Sequence, residues 1–145
     1  MAIAQDKSSQ SVTVSTIAKK KQWRDLDLSL YKHPITKDIV PLKDDKAIKN
    51  ALKNLILTNF YERPFNHTTA ANLSGLLFEP ADTITKIEMR DAIKRVIEFH
   101  ESRVKYLGTQ ISDDQVSNSW IIKIFFIIKH TNEQQNVNLV LRRLR

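Results

Sequence analysis

From Trp120 to Ile128 every residue is apolar except Lys123. This run constrains the fold more than any other feature of the chain. It is rich in β-branched and aromatic side chains, which suit a pleated strand. Its period is two. Trp120, Ile122, Ile124, Phe126 and Ile128 share one face, and Ile121, Phe125 and Ile127 the other. A strand that is apolar on both faces belongs in the middle of a sheet. The run also falls far short of the ~20 apolar residues that a membrane span needs. The fold must therefore supply a neighbour on each side of this strand, read here as Ser119 to His130, and a layer to cover it.

The neighbours are legible on both sides. Val104 to Ser112 forms an earlier strand, followed by an Asp113-Asp114 turn. After a turn over Thr131 to Asn136, a last strand runs from Val137 to Leu144, with Val137, Leu139 and Leu141 facing one way and Asn138 and Arg142 the other. Short connections of this kind make an antiparallel meander. The covering layer is helical. Ala47, Ile48, Ala51, Leu52, Leu55 and Ile56 form an apolar stripe within Asp44 to Leu57, opposite Lys46, Lys49, Asn50, Lys53 and Asn54. Asp44 or Asp45 suits the first turn, where the helix dipole favours a carboxylate. A second helix spans about Thr83 to His100. Thr85 with Glu88 reads as a capping box, and Met89, Ile93, Val96, Ile97 and His100 mark the buried face.

Between the helices, Thr58 to Pro80 is irregular. Phe60, Tyr61 and Phe65 are expected to tuck inward, and Leu73, Leu76 and Leu77 have the spacing of one or two helical turns before Pro80. Upstream, Leu26, Leu28 and Leu30 alternate with polar residues as in a half-buried strand, and Ile39-Val40 can return as its partner. The expected fold class is α+β: two main helices packed on a three-stranded antiparallel meander, plus an N-terminal extended arm or hairpin. Residues 1–22 are Ser-, Thr-, Gln- and Lys-rich and read as a flexible arm that can order on a partner. Residues 23–145 read as one domain. The opening stretch lacks the apolar segment of a signal peptide, so a chain made in the cytoplasm is expected.

Composition narrows the chemistry. There is no cysteine, which removes disulfides, thiolate metal sites and cysteine nucleophiles. With only two glycines, Gly75 and Gly108, no Gly-rich phosphate loop exists, and no G-x-S-x-G elbow occurs. His33, His67, His100 and His130 form no metal-ligand pair such as H-E-x-x-H. Glu62, Glu79 and Glu101 leave a glycosidase-like carboxylate pair open, since the sequence cannot give their separation. No catalytic residue, cofactor or metal site is assigned. The net charge is +7, with Lys19, Lys20, Lys21 and Arg24 near one end and Arg142, Arg143 and Arg145 at the other. Such a balance fits solvated surface, an acidic protein partner or nucleic acid. Nucleic acid is the weaker reading, because the basic residues are not interleaved with aromatics that stack on bases.

Two clusters and one edge are the candidate sites. Arg63-Pro64-Phe65, after Glu62, combines a guanidinium, a fixed backbone and an apolar anchor. The loop either pins itself to its own core or holds a partner. Glu101-Ser102-Arg103 puts two opposite charges on the same side of an extended chain, where they pair with each other or clamp a polar partner. The last strand, with Arg142, Arg143 and Arg145, is a candidate sheet edge. Charge there blocks unwanted pairing, or admits one chosen strand by β-augmentation.

These features, in this order, resemble one family: the small baseplate wedge subunit of contractile-tailed phages, the gene-product-25 type, with its TssE-like relatives in type VI secretion baseplates. The resemblance runs from about Trp23 to Leu144. It rests on a helix followed by Arg63-Pro64-Phe65, a leucine-rich turn ending Leu77-Phe78-Glu79-Pro80, a long helix, and a Glu-Pro-Arg signature falling on Glu101-Ser102-Arg103. The signature proline is Ser102 here. The glycine often found before R-P-F is replaced by Tyr61 or Glu62, and one expected after it falls near Ala70. The resemblance implies a structural, non-enzymatic subunit of the virion tail. It implies docking on the core helical bundle of other baseplate wedge proteins, with Glu101, Arg103, Arg63, Pro64 and Phe65 as partner-binding residues. It also implies templating of the first ring of the tail sheath protein, by a strand added at Val137, Leu139, Leu141, Arg142 and Arg143. Some relatives carry a lysozyme label, so a tail lysozyme is the enzymatic alternative and a nucleic-acid-binding domain the other.

Overall fold

The computed structural model describes residues 23–143. The proposed arm, residues 1–22, lies outside them, as do Leu144, the last residue of the expected final strand, and Arg145. Element order is β1 (Arg24–Leu26), β2 (Pro41–Lys43), α1 (Asp45–Leu57), a 3-10 turn (Gly75–Phe78), α2 (Thr83–His100), β3 (Val104–Asp114), β4 (Ser119–Ile128) and β5 (Gln134–Arg142). β3, β4 and β5 form an antiparallel sheet in that order, and β1 pairs with β2 in a separate short hairpin. The α+β class, with two helices on a three-stranded meander and an N-terminal hairpin, is the observed one.

β4 is the central strand, as its two apolar faces require. Trp120, Ile122, Ile124, Phe126 and Ile128 are fully buried, while Ile121, Phe125 and Ile127 are half-buried. The buried face packs against Ile48, Leu52, Leu55 and Ile56 of α1 and Met89, Ile93, Val96 and Ile97 of α2. Each such side chain contributes roughly 1.5–3 kcal/mol by leaving water. α2 lies along β3, whereas α1 packs beside β1, β2 and β5. β3 carries a bulge between Tyr106 and Gly108, which leaves Leu107 half-exposed.

Several expectations are corrected. Leu26, Leu28 and Leu30 do not make a half-buried strand. β1 stops at Leu26, and all three leucines are more than half exposed. Asp27 turns the chain instead, its carboxylate accepting Ser29 N–H while Leu30 N–H closes on Asp27 C=O and Leu30 takes a positive φ. β2 begins at Pro41 and not at Ile39-Val40, where Ile39 makes only an isolated bridge to Lys32. Phe60, Tyr61 and Phe65 do not tuck inward: they are 43%, 81% and 106% exposed. Left-handed backbone at Tyr61 and Phe65, on either side of Pro64, turns this loop outward. The Asp113-Asp114 turn is the end of β3. The reversal comes later, with Asp114 accepting from Val116 N–H, Ser117 N–H and the Ser117 hydroxyl, and with Asn118 left-handed. The next reversal is tighter than Thr131 to Asn136, since β5 already begins at Gln134.

The helix caps also differ from the expected ones. α2 is capped by Asp82, whose carboxylate accepts the Thr85 backbone N–H at 2.8 Å and the Thr85 hydroxyl at 2.9 Å. Thr85 is thus the buried third residue of the turn and not the cap. Asp44 stands at the start of α1 but makes no side-chain cap; its carboxylate accepts Trp23 N–H at 3.2 Å and ties the hairpin to the helix.

Candidate functional site

Glu101 stands where α2 ends, with its N–H still bonded to Ile97 C=O. Arg103, two residues on, lies not in extended chain but in the turn that joins α2 to β3, closed by Val104 N–H on Glu101 C=O, and its side chain folds back onto Glu101. The guanidinium donates from Nε to Oε1 at 2.6 Å and from Nη2 to Oε2 at 2.5 Å, and Arg103 N–H reaches Oε1 at 3.3 Å. The two charges of the signature therefore pair with each other in a bidentate fork. The Glu101 side chain is nearly buried at 8% exposure, and that of Arg103 retains 27%. The hydrogen bonds that Arg103 donates to Glu101 push its pKa up from the ordinary value; burial opposes this, and the charges of Glu101 and Asp25 add to it. Arg103 C=O accepts Lys129 N–H at 3.0 Å, so the corner is stitched to the end of β4.

The corner opens into a groove of about 420 Å³ lined by Asp25, Asn54, Arg63, Thr69, His100 and Glu101, among others. The fold thus brings Glu101 and Arg63 together from segments far apart in the chain. Arg63 is exposed and makes no ion pair among the described residues. Thr69 is buried at 5% exposure, and its hydroxyl has no hydrogen-bond partner among the described residues. Pro64 and Phe65 rise beside this groove on the outward loop. The loop is braced by Glu62, whose carboxylate accepts Asn59 N–H at 2.8 Å and Asn59 Nδ2 at 2.7 Å and is held below its ordinary pKa by them. Two backbone features are unusual: Tyr61 has φ 67° and Phe65 has φ 65°. Left-handed backbone costs an L-residue roughly 1–2 kcal/mol. Tyr61, one of the two positions where the resemblance puts a glycine, takes the left-handed conformation that glycine favours.

The second candidate, the rim of β5, is on another part of the molecule. Among the described residues β5 pairs with β4 alone, so its outer side is an open edge. The register identifies the residues that face outward. Ile128 N–H bonds to Glu133 C=O, and Arg143 N–H to Asn118 C=O. Antiparallel pairs alternate between bonded and non-bonded. With Ile124 opposite Val137 and Ile122 opposite Leu139, the odd-numbered residues of β5 bond to β4. Asn136, Asn138, Val140 and Arg142 therefore aim their backbone N–H and C=O groups away from the sheet. Val137 and Leu139 are buried and Leu141 is half-buried, with side chains on the helix-covered face. Arg142 is exposed. Arg143 turns back: its Nη2 donates to Asp113 at 2.6 Å, and the guanidinium lies 4.5 Å from the centre of the Trp120 ring.

Sequence reasoning placed a sheet edge on this strand, as observed, but of the outward residues it listed Arg142 alone, beside Val137, Leu139, Leu141 and Arg143. It missed Asn136, Asn138 and Val140, which a count of alternation from the Val137-Leu139-Leu141 stripe would have found. It also missed Asp25 and Thr69, for which no local signal exists.

Hydrogen bonds from Ser29, Asn59, Thr85 and Ser117 hold Asp27, Glu62, Asp82 and Asp114 below their ordinary range. A general acid of a glycosidase needs the opposite shift. Among the described residues no cluster of His, Asp or Glu has the arrangement of a metal site. No helix among them is long and apolar enough to cross a membrane.

The comparisons with known proteins follow this geometry. The family model described as baseplate wedge protein gp25 matches residues 43–133, well over half of the chain. Among curated proteins none matches. Two solved structures share the fold. One is a Geobacter sulfurreducens protein described as a candidate tail lysozyme, at TM-score 0.62 and 17% identity, covering 68% of this chain and 89% of its own. The other is a chain of the anti-feeding prophage baseplate, at TM-score 0.59 and 14% identity, covering 86% of this chain and 88% of its own. At such identities the two structures speak for the fold alone, while the family match spans α1, the R-P-F loop, α2, the Glu101–Arg103 corner and the first two strands of the meander. The chain belongs to the baseplate wedge protein gp25 family, and its role is a structural one in a phage-tail baseplate, among other baseplate proteins.

Proposed function

We propose that this subunit docks on the core helical bundle of the inner baseplate through the Arg63–Glu101 groove and templates the first sheath ring through the outer edge of β5. The observation that carries the reading is the open edge itself. Five residues of β5, Gln134, Asn136, Asn138, Val140 and Arg142, hold their backbone donors and acceptors outward, and no described strand covers them. An edge of this kind gives a partner strand its register by main-chain hydrogen bonds. Arg142 blunts it against indiscriminate pairing.

The docking half rests on the groove. The Glu101–Arg103 fork fixes the corner, which leaves Arg63, the unpartnered Thr69 hydroxyl and the exposed Phe65 for a helix or loop of the wedge. Arg103 contributes from its exposed quarter. In this reading residues 23–145 act as one sheath-initiator-like unit and residues 1–22 as an arm.

Two variants test the two halves. Glu101→Ala with Arg103→Ala is expected to give a folded monomer that fails to join baseplates, scored by sedimentation of assembled particles. Incorporation at the normal level removes the corner from the mechanism. Val140→Pro deletes one outward N–H without touching the bonds to β4. It is expected to leave baseplates intact and bare of sheath in electron micrographs; normally sheathed tails rule out strand addition at β5.

A further inference from the structure

α1 overhangs the same edge. Lys46, Lys49 and Lys53 line one side of a groove of about 390 Å³, and Asn136, Val137 and Asn138 of β5 line the other. Among the described residues no carboxylate lines it. Lys49 reaches across to Gln135, Nζ to Oε1 at 2.9 Å, while Lys46 and Lys53 are exposed and enter no ion pair among the described residues. The three lysines fall on one stripe of the helix, spaced three and four residues apart. They span about 10 Å at the helical rise. Alternate residues of a strand lie about 7 Å apart on one face. A strand laid against β5 would place its helix-side residues, the neighbours of Val137 and Leu139, beneath this stripe.

We propose that the segment received by β5 is acidic: an extended polypeptide with carboxylates at two alternating positions on the side facing α1. This rests on the strand-addition reading above and adds to it the partner's chemistry. Main-chain bonds to Asn136, Asn138, Val140 and Arg142 accept any sequence, so discrimination must come from side chains beside the edge. Three lysines with no acid among them repel a basic strand and select an acidic one. They also guard the edge against self-association, since β5 of a second copy, with its own Arg142, brings no carboxylate to the groove. A peptide strand fits better than nucleic acid, because the groove offers amide partners along the edge and no aromatic or guanidinium plane on which a base can stack.

The test compares full-length Lys46→Gln/Lys49→Gln/Lys53→Gln with the matching triple Lys→Arg variant and with Val140→Pro, in tail assembly with the sheath protein. The glutamine variant is expected to join baseplates normally and to give about tenfold fewer sheathed tails, while the arginine variant sheathes like the wild type. Normal sheathing of the glutamine variant, with Val140→Pro bare, overturns the acidic-strand inference and leaves strand addition standing. Normal sheathing of both overturns the two together. Failure of the glutamine variant already at baseplate incorporation assigns the lysines to the wedge contact and overturns the inference. So does a low-salt gel shift of a single-stranded oligonucleotide that the glutamine variant loses while its sheathing is normal. If the triple variant melts below the working temperature, Lys46→Gln/Lys53→Gln, which changes only exposed side chains, decides by the same outcomes.

Discussion

At the scale of single residues, strain and exposure coincide at Phe65. Its backbone is left-handed and its ring is fully in solvent, so the isolated chain gains nothing visible from either. Strained positions concentrate where a surface is held ready for a partner. Phe65→Gly is therefore expected to keep or raise stability, by up to about 1 kcal/mol, while lowering baseplate incorporation. A melt and an assembly assay on the same variant check both halves; a clear loss of stability would mean that the ring packs at home. The Glu101–Arg103 fork behaves differently. Its carboxylate is nearly buried and its guanidinium partly open, so solvent screening keeps the net worth of the pair near 1 kcal/mol. Removing only the cation strands a buried charge. Arg103→Met should cost about 2 kcal/mol, and adding Glu101→Gln should recover most of it. A double-mutant cycle in urea measures this, and simple additivity would show that the two groups do not interact.

At the scale of elements, each helix is fastened by an aspartate used in a different way. Asp82 caps α2, and the Thr85 backbone N–H and hydroxyl hold its pKa below the ordinary 3.8. Its folded pKa is depressed, so its contribution is complete above pH 4 or so and is lost as pH falls through the folded value. Asp27, Glu62 and Asp114 act in the same direction. Thermal melts from pH 7 to pH 3 should therefore fall at the acid end. Asp82→Asn, an equally good cap, should flatten part of that fall, whereas Asp82→Ala should lower the melting temperature at every pH. Acid melts of Asp82→Asn that overlay the wild type would remove Asp82 from the account. Asp44, by contrast, leaves the end of α1 uncapped and secures the hairpin through Trp23.

At the scale of the whole molecule, the sheet separates two tasks. The corner ties the C-terminal end of α2 to the start of β3 beside the R-P-F loop, while the open edge runs along β5 under the lysines of α1. No residue lines both grooves. The grooves do touch, since Asn50 of one donates to Asp25 of the other at 3.2 Å. Arg103 and Lys49 share no hydrogen-bond partner among the described residues, so Arg103→Met and Lys49→Gln are expected to combine additively in stability. Coupling well above about 0.5 kcal/mol between Arg103→Met and Lys49→Gln would show that the sheet transmits strain from one to the other.

What the sequence by itself determined is the periodic part of this protein. Alternation over Trp120 to Ile128 sets a central strand, and the apolar stripes of α1 and α2 set its cover, because burial acts on every second or every third-to-fourth residue and leaves that period in the order of the chain. Arg63, Glu101 and Arg103 were legible as short local clusters, and their partner-binding role came only from the family resemblance. Tertiary structure alone decided that Arg63 meets Glu101 beside Asp25 and Thr69, and that Leu28, Phe60 and Phe65 face water. It also decided that Arg143 turns in to Asp113 while Asn136, Asn138 and Val140 present the edge. Such choices depend on which segments are brought side by side and on which peptide groups a register leaves unpaired, and neither quantity has a period along one chain.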